Sequence, residues 1–362
     1  TGGISNEVNV TGDVQHADNY QVKYEVRLKV LEANLTRGVE LIKSMMLSTQ
    51  FTDEKRIYEV LAQVKSRLRN ELSDSGNVIS ATRALSCYSR RAKYADSIQG
   101  IGFYETLDRI VANFESEKQN LVKKLQEVCG LIFQPQNLLV SVTSDAAGYA
   151  TLKALSGQIT EGLYADTAKE MAEISLPKQK NEGFLDASQI QYVSLAGNYA
   201  QDGYAYHGAM RVFKVIMNYE YLWQNIRVKG GAYGCGTNVG RNGDVCFLSY
   251  RDPNLGRTLD VYRGVPEYLK NFDADERAMT RFVIGTFSEL DAPLTPLSQG
   301  RRSLLSYLTG ITYEMIQKER EQALHTCPQD IRNLADTMQA VLDHSYICAI
   351  GNEGKLKEES EL

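Results

Sequence analysis

Two stretches near the start of the chain, residues 4–10 and 20–30, alternate polar and apolar side chains. A period of two residues is typical of half-buried strands, so we predict that a small sheet opens the chain. From about residue 41 to 128 the apolar positions recur every three or four residues, which predicts a block of long amphipathic helices. The apolar run 138–142 then predicts a buried strand, and residues 146–155 predict a further helix.

A polar stretch that contains a proline, residues 177–188, is predicted to be a linker. The same order of elements follows it: a strand near 191–195, a helix over 203–226, a hairpin, more helices and a final strand over 346–350. We therefore predict an α+β fold of two related domains, residues 1–176 and 189–362, each a mainly antiparallel sheet packed against long helices. Because the halves share the pattern but no convincing residue identity, chance similarity of two mixed domains is the alternative.

The hairpin has the clearest local signal, the dipeptide Asn242-Gly243 between two strand-like stretches. This dipeptide suits the positive φ angles of a two-residue type I′ turn. Such a turn places Val239 opposite Cys246 and Cys235 opposite Tyr250, so the two cysteines are not expected to be cross-strand partners.

Composition narrows the possible partners. The 362 residues carry a formal net charge of -5, with no basic stripe between aromatics, which argues against binding to nucleic acid. No apolar run approaches the roughly 20 residues of a membrane span, and the start is too polar for a signal peptide. We expect a soluble protein without a membrane partner, in the cytoplasm or an organelle lumen, although the compartment itself is not determined.

A search for catalytic motifs finds none. Six cysteines lie far apart without a CxxC pair, which predicts reduced thiols and neither a disulfide framework nor a thiolate zinc site. The four histidines are His16, His207, His325 and His344, and no two of them lie within one helical turn. Because HExxH and HxxEH are both absent, we predict no metal site in this chain. Spacing alone does not decide on a Ser-His-Asp triad, but the absence of a GxSxG elbow disfavours one.

The glycine-rich run over residues 230–236, GGAYGCG, resembles a phosphate-binding loop only superficially. It follows a predicted helix and leads into a predicted strand, whereas a dinucleotide-binding loop follows a strand and opens a helix. We interpret these glycines as positions where another backbone segment approaches closely or takes unusual angles.

The segment over residues 221–269, YLWQNIRVKGGAYGCGTNVGRNGDVCFLSYRDPNLGRTLDVYRGVPEYL, resembles the last domain of the presequence-protease branch of the insulinase family of inverzincins. The opening TGGIS and the closing CAIGNE are weaker similarities. The resemblance implies that the chain is the third and fourth of four related domains with the LuxS-like metallohydrolase fold. The family's HxxEH motif belongs to the first domain, so zinc is expected in an N-terminal half absent here, and this chain alone is expected to be inactive.

The resemblance also implies a function and two site residues. The intact family enzyme is a clam-shell oligopeptidase whose halves enclose an unstructured peptide, and its C-terminal half supplies an Arg and a Tyr that assist binding and stabilise the oxyanion. By motif these are Arg227, in RVKGG, and Tyr233, in GGAYG, with Gly231 allowing substrate close to the strand. The expected partners are a peptide and the N-terminal half, on the same polypeptide or on a partner subunit.

Alternatives remain at these positions. Taken alone, Arg227 is interpreted as a cation at a helix C-terminus and Tyr233 as a strand aromatic. The helical spacing predicts that Trp223 lies in the core. Arg251 and Asp252 are predicted to cap the following helix and are assigned no catalytic role. The alternative function is a catalytically inactive family member that acts as a scaffold or partner-binding subunit.

Overall fold

The computed structural model describes residues 2–14, 19–167, 174–177 and 181–359. The chain begins with an antiparallel hairpin of two strands, β1 (Gly3–Gly12) and β2 (Tyr20–Lys29), in which Val8 lies opposite Tyr24. This confirms the opening sheet. The predicted helical block is also confirmed, and its helices are α1 (Leu35–Leu47), α2 (Glu54–Asp74), α3 (Gly76–Leu85), α4 (Arg90–Gln99), α5 (Ile101–Ala112) and α6 (Phe114–Ile132). The separate helix predicted over 146–155 is confirmed as α7 (Ala146–Ala154), and α8 (Ser156–Thr160) follows it.

The prediction of a buried strand over residues 138–142 is wrong. The segment runs between α6 and α7 without strand pairing to any described residue, and all its side chains are exposed. Leu139 and Val140 are 44% and 50% exposed. A short apolar run indicates only that the segment could be buried, and here no neighbouring strand lies alongside it.

The second sheet has five strands, in the order β3 (Glu182–Asp186), β7 (Tyr346–Asn352), β4 (Gln191–Asn198), β6 (Asp244–Tyr250) and β5 (Gly234–Val239). Only β3 and β7 run parallel; the other neighbours are antiparallel. The α+β fold class with mainly antiparallel sheets is therefore confirmed. Strand β3 lies inside the stretch 177–188, and the domain boundaries on either side of that stretch stay predictions.

The helices of the second half surround this sheet. The predicted helix over 203–226 begins later, as α9 (Ala209–Ile216), and continues through two π-helical turns, Met217–Tyr221 and Trp223–Val228. The remaining helices are α10 (Gly256–Arg263), α11 (Val265–Lys270), α12 (Glu276–Leu290), α13 (Pro296–Thr309), α14 (Tyr313–Leu324), α15 (Pro328–Arg332), α16 (Leu334–Asp343) and α17 (Glu353–Glu358).

Strand β4 is buried along its whole length because helices cover both faces of the sheet. Val193 and Leu195 point to one face and pack with α9, α10 and α16. Tyr192 and Ala196 point to the other face, where they pack with Ile79 and other residues of α3. Burial of one large apolar side chain contributes about 1.5–3 kcal/mol, so α3 is an integral part of the second half's core.

Polar contacts also join helices α3 and α4 to the five-stranded sheet. The Arg83 guanidinium, near the end of α3, binds both carboxylate oxygens of Glu182 on β3, at 2.6 and 2.9 Å. It also donates to the fully buried Asp96 of α4 at 2.8 Å. Ser80 and Ser194 share a buried hydrogen bond of 2.7 Å.

The hairpin prediction is correct in place but wrong in register by one residue. Val239 pairs with Val245, and Cys235 pairs with Ser249. Gly243 has a φ of 96°, but Asn242 does not have a positive φ, so the turn is not type I′. Instead the Gly243 amide donates to the Gly240 carbonyl and the Gly240 amide to that of Asp244, as in a longer loop closed by a left-handed glycine. The two cysteines are not partners, and all six cysteines of the chain are free.

Candidate active site

The end of the π-helical run positions Arg227. Gly231 has a φ of 83° and its amide donates to the Arg227 carbonyl at 2.9 Å, while the Ala232 amide donates to Ile226 at 3.1 Å. A glycine in the left-handed conformation just after a helix is a common terminator. At Gly230 a Cβ atom would come within 2.4 Å of the Ile226 carbonyl, so a side chain is excluded there too. Backbone geometry therefore explains why both positions are glycine, and the substrate-binding role predicted for Gly231 stays a prediction.

Arg227 and Tyr233 lie side by side. The Arg227 Nη1 donates to the Tyr233 backbone carbonyl at 2.6 Å, and the guanidinium lies 5.6 Å from the Tyr233 ring centroid. The tyrosine side chain is 66% exposed. Within the described residues its hydroxyl has no hydrogen-bond partner, so this phenol faces solvent as an available donor.

Trp223 is not in the core, contrary to the prediction. It is half-buried, and the Arg227 guanidinium lies 4.2 Å from its ring centroid, one helical turn further along. This is a favourable cation–π distance. The helical period predicted that Trp223 is buried in the core, whereas at the end of the helix its ring lies against the arginine.

Sequence reasoning missed two further residues of this surface, Tyr250 and Arg251. The Tyr233 amide donates to the Tyr250 carbonyl at 3.1 Å, which brings the two rings to a centroid distance of 5.8 Å. The Arg251 guanidinium then lies 5.5 Å from the Tyr250 ring centroid. Because Gly234 pairs with Tyr250 across the hairpin, a correct register would have indicated that Tyr233 is the neighbour of both residues.

Buried groups lie directly behind this surface. Burial raises the pKa of the Cys235 thiol to about 11, and the nearby Asp252 carboxylate adds to the effect. Burial also raises the pKa of Asp252, although the Asn254 amide and the Thr258 hydroxyl donate to that carboxylate at 2.9 and 2.7 Å. Asp252 therefore fixes the turn after β6 and does not point at the exposed surface.

The donor sets in the described part of the chain do not fit a catalytic zinc ion. Among the residues that the structure describes, no group of three or more His, Cys, Asp or Glu side chains is placed to hold a metal. His16 lies outside the described residues. The expectation that zinc is held by another part of the protein stays a prediction. No described helix is long and apolar enough to cross a membrane.

Comparisons with known proteins identify relatives over the whole chain. Residues 181–353 match a family model described as the PreP C-terminal domain, and residues 1–110 match one described as associated with subfamily C of the M16 peptidases. Protein HypA of Clostridium perfringens is 34% identical over 363 residues, which is 100% of this chain and 37% of that protein. Presequence protease 1 of Arabidopsis thaliana is 28% identical over 97% of this chain and 33% of its own length. The chain thus spans about a third of the length of these relatives.

Solved structures share the fold at low identity. A protease from Helicobacter pylori superposes with a TM-score of 0.64 at 14% identity, covering 96% of this chain and 82% of that one. A structure described as the peptidase M16 inactive domain from Pseudomonas fluorescens gives a TM-score of 0.55 at 13% identity, covering 97% and 81%. The predicted family fold is confirmed by these matches.

Proposed function

This chain belongs to the M16 peptidases as a C-terminal half of the presequence-protease branch, and from that membership we propose that it encloses and positions unstructured peptides for a zinc-dependent oligopeptidase. The zinc ion and the catalytic base belong, in this proposal, to the N-terminal half. That half is part of the same protein or a partner subunit. The chain alone does not hydrolyse peptides.

One observation carries the proposal: the Arg227 guanidinium and the exposed Tyr233 phenol lie together on one accessible surface. Arginine has five N–H donors in a planar fork. The hydrogen bond to the Tyr233 carbonyl uses Nη1, so other donors of the fork are available for a substrate carbonyl or carboxylate.

The phenol has a different role in this mechanism. A tyrosine hydroxyl that faces solvent can donate a hydrogen bond to the oxyanion that develops when a peptide carbonyl is attacked. Such a donor acts mainly on the transition state, because the negative charge on that oxygen is greatest there. Arg227 orients the peptide and Tyr233 stabilises the developing charge, while the metal's Lewis acidity comes from the other half.

The test uses the intact protein, with this chain joined to its N-terminal half, and a fluorogenic peptide. Tyr233→Phe removes only the hydroxyl and is expected to lower kcat by about 100-fold to 1,000-fold with a small change in KM. Tyr307→Phe is the matched control, because Tyr307 is 74% exposed on α13, and it is expected to leave kcat unchanged. Equal activity of the Tyr233 variant and the wild type would contradict the assisting role.

The chain by itself gives a second test. We expect no stoichiometric zinc by metal analysis of the purified chain and no turnover that a chelator abolishes. If the intact protein also lacks peptidase activity, the scaffold function becomes the better account of this half.

A further inference from the structure

Arg251 has an unusual backbone conformation. Its φ of 50° lies in the left-handed region, and it is the only residue other than glycine with a positive φ in the described part of the chain. Glycine or asparagine is favoured in this region because a Cβ atom is crowded there. The arginine side chain is nevertheless exposed to solvent.

The backbone on both sides of Arg251 is fixed by hydrogen bonds. The Tyr233 amide approaches the carbonyls of Tyr250 and Arg251, at 3.1 and 3.3 Å. The next residue, Asp252, exchanges two backbone hydrogen bonds with Gln191 of β4, at 2.7 and 2.8 Å. Strained residues that their surroundings hold in place occur preferentially at functional sites. The conformation holds the Arg251 side chain beside the candidate site.

A pair of aromatic rings connects Arg227 to Arg251 through successive contacts. Arg227 lies 5.6 Å from the Tyr233 ring centroid, the Tyr233 and Tyr250 ring centroids lie 5.8 Å apart, and Arg251 lies 5.5 Å from the Tyr250 ring centroid. Hydrogen bonding to the Tyr192 phenol raises the pKa of Arg251. In the described part of the chain neither arginine forms a salt bridge with a carboxylate. Two uncompensated cations are thus accessible on a protein of net charge -5.

We propose that Arg251 forms a second subsite, which binds a carboxylate of the peptide two tyrosine rings away from Arg227. The inference rests on the proposed function, since it specifies which peptides this surface prefers. A guanidinium fork matches a carboxylate in shape and charge, and the flat tyrosine rings between the two cations suit an extended peptide. The carboxylate comes from the peptide C-terminus or from an acidic side chain.

Direct binding to the 362-residue chain tests the proposal without catalysis. Trp223 is the single tryptophan and lies against Arg227, so its emission reports on ligands at this surface. Three N-acetylated, unstructured probe peptides are titrated. The first has no acidic side chain and a free C-terminal carboxylate, and the second is the same peptide with a C-terminal amide. The third is the amide peptide with one residue replaced by glutamate. Anisotropy of the same peptides with an uncharged fluorophore gives the affinities independently of Trp223.

We expect one or both carboxylate peptides to bind about threefold to tenfold more tightly than the neutral amide, with the preference decreasing as salt is added. Tighter binding of the peptide with the free C-terminus identifies the terminal carboxylate as the ligand, and tighter binding of the glutamate peptide identifies an acidic side chain. Arg251→Asn, which tolerates the left-handed backbone, and Arg251→Gly, which favours it, are both expected to abolish the preference. Arg277→Gln, at an exposed arginine on α12, is expected to retain it.

Three results would overturn the subsite: no binding by either measurement, equal affinity of the wild type for all three peptides, or a preference that survives in both Arg251 variants. A preference lost in Arg227→Gln but kept in Arg251→Asn would assign the carboxylate to Arg227 instead. Hydrolysis by the intact protein is measured separately. If the intact protein hydrolyses peptides but the binding assay shows no preference that depends on Arg251, only the subsite is refuted. If the intact protein does not hydrolyse peptides, both the proposed function and the inference that rests on it are refuted.

Discussion

The Arg227 guanidinium lies 4.2 Å from the ring centroid of Trp223, on the preceding helical turn. The indole is the platform that orients the charge, and the hydrogen bond to the Tyr233 carbonyl fixes the direction of the fork. A lysine ammonium has no planar face to stack in this way, so lysine is not an equivalent of arginine at this position.

Trp223 is therefore expected to act as a positioning residue. In the intact protein, Trp223→Ala should lower kcat/KM for peptide hydrolysis about twofold to 30-fold, since a cation–π contact contributes about 0.5–2 kcal/mol. Trp223→Phe retains an aromatic face and should stay within about twofold of the wild type. In an Arg227→Gln background, which has no cation to stack on the indole, the alanine substitution should have little further effect. Equal losses in both backgrounds would mean that Trp223 acts through general stability.

The Arg83 guanidinium should be the most sensitive polar group between the two halves. Arg83→Met leaves the fully buried Asp96 and the carboxylate of Glu182 without their main cation. Removal of one partner from a buried ion pair costs about 3–5 kcal/mol in the free energy of unfolding. Arg37→Met is the control, because its pair with Glu40 is 72% and 55% exposed and should contribute less than about 1 kcal/mol. Urea unfolding measures both; similar values for the two variants would refute the difference.

Two leucines test the position of segment 138–142. Leu195 is 1% exposed on β4, whereas Leu139 is 44% exposed. Leu195→Ala should lower the free energy of unfolding by about 2–5 kcal/mol, and Leu139→Ala by less than about 0.5 kcal/mol. A large loss for Leu139→Ala in the intact protein, but not in this chain, would show that the N-terminal half covers the segment.

Thiol labelling should follow burial and pKa. Burial raises the pKa of Cys235 to about 11 and that of Cys246 to about 12, from the ordinary 9.0. At pH 8 a thiol of pKa 11 is ionised in about one molecule in 1,000, so iodoacetamide should modify the exposed Cys327 first and Cys246 only after unfolding. Peptide mass mapping over time gives the order. Early modification of Cys246 in the native chain would contradict it.

The same shifts predict a dependence of stability on pH. The native state holds these two thiol protons more tightly than the unfolded chain does. Their contribution to stability is therefore present below about pH 9 and is lost as the pH rises through about 11 and 12. Cys246→Ser should reduce this alkaline loss, which urea midpoints at pH 8 and pH 10.5 can measure.

The sequence predicted those elements whose pattern is local. The alternation around Val8 and the helical period around Leu68 each indicate an element by themselves, and the structure confirms them. Residues 138–142 carry the same apolar signal as a strand, but a strand also needs a neighbour, and its presence is not encoded in the segment itself. The one-residue register shift at Gly243 has a similar cause, because Asn-Gly is compatible with more than one turn.

The residues of the candidate site likewise differ in whether a local sequence pattern indicates them. Arg227 and Tyr233 could be proposed from a short motif, since the helix ends at the glycines between them and the strand begins directly after Tyr233. Arg251 could not, because its conformation depends on hydrogen bonds between Asp252 and Gln191, which are 61 positions apart in the chain. Only tertiary structure brings Tyr250 and Arg251 beside Tyr233.

The packing of α3 against β4 limits how this chain can be cut into fragments that fold. A fragment that begins at β3 would lose the helix that covers Tyr192, Ala196 and Ile350, and an apolar sheet face would meet water. Residues 181–353 match one family model, yet we expect that they do not fold stably without α3. Attempts to express it separately should give aggregated material, and rescue should require the helical hairpin of α3 and α4 supplied in trans or by fusion.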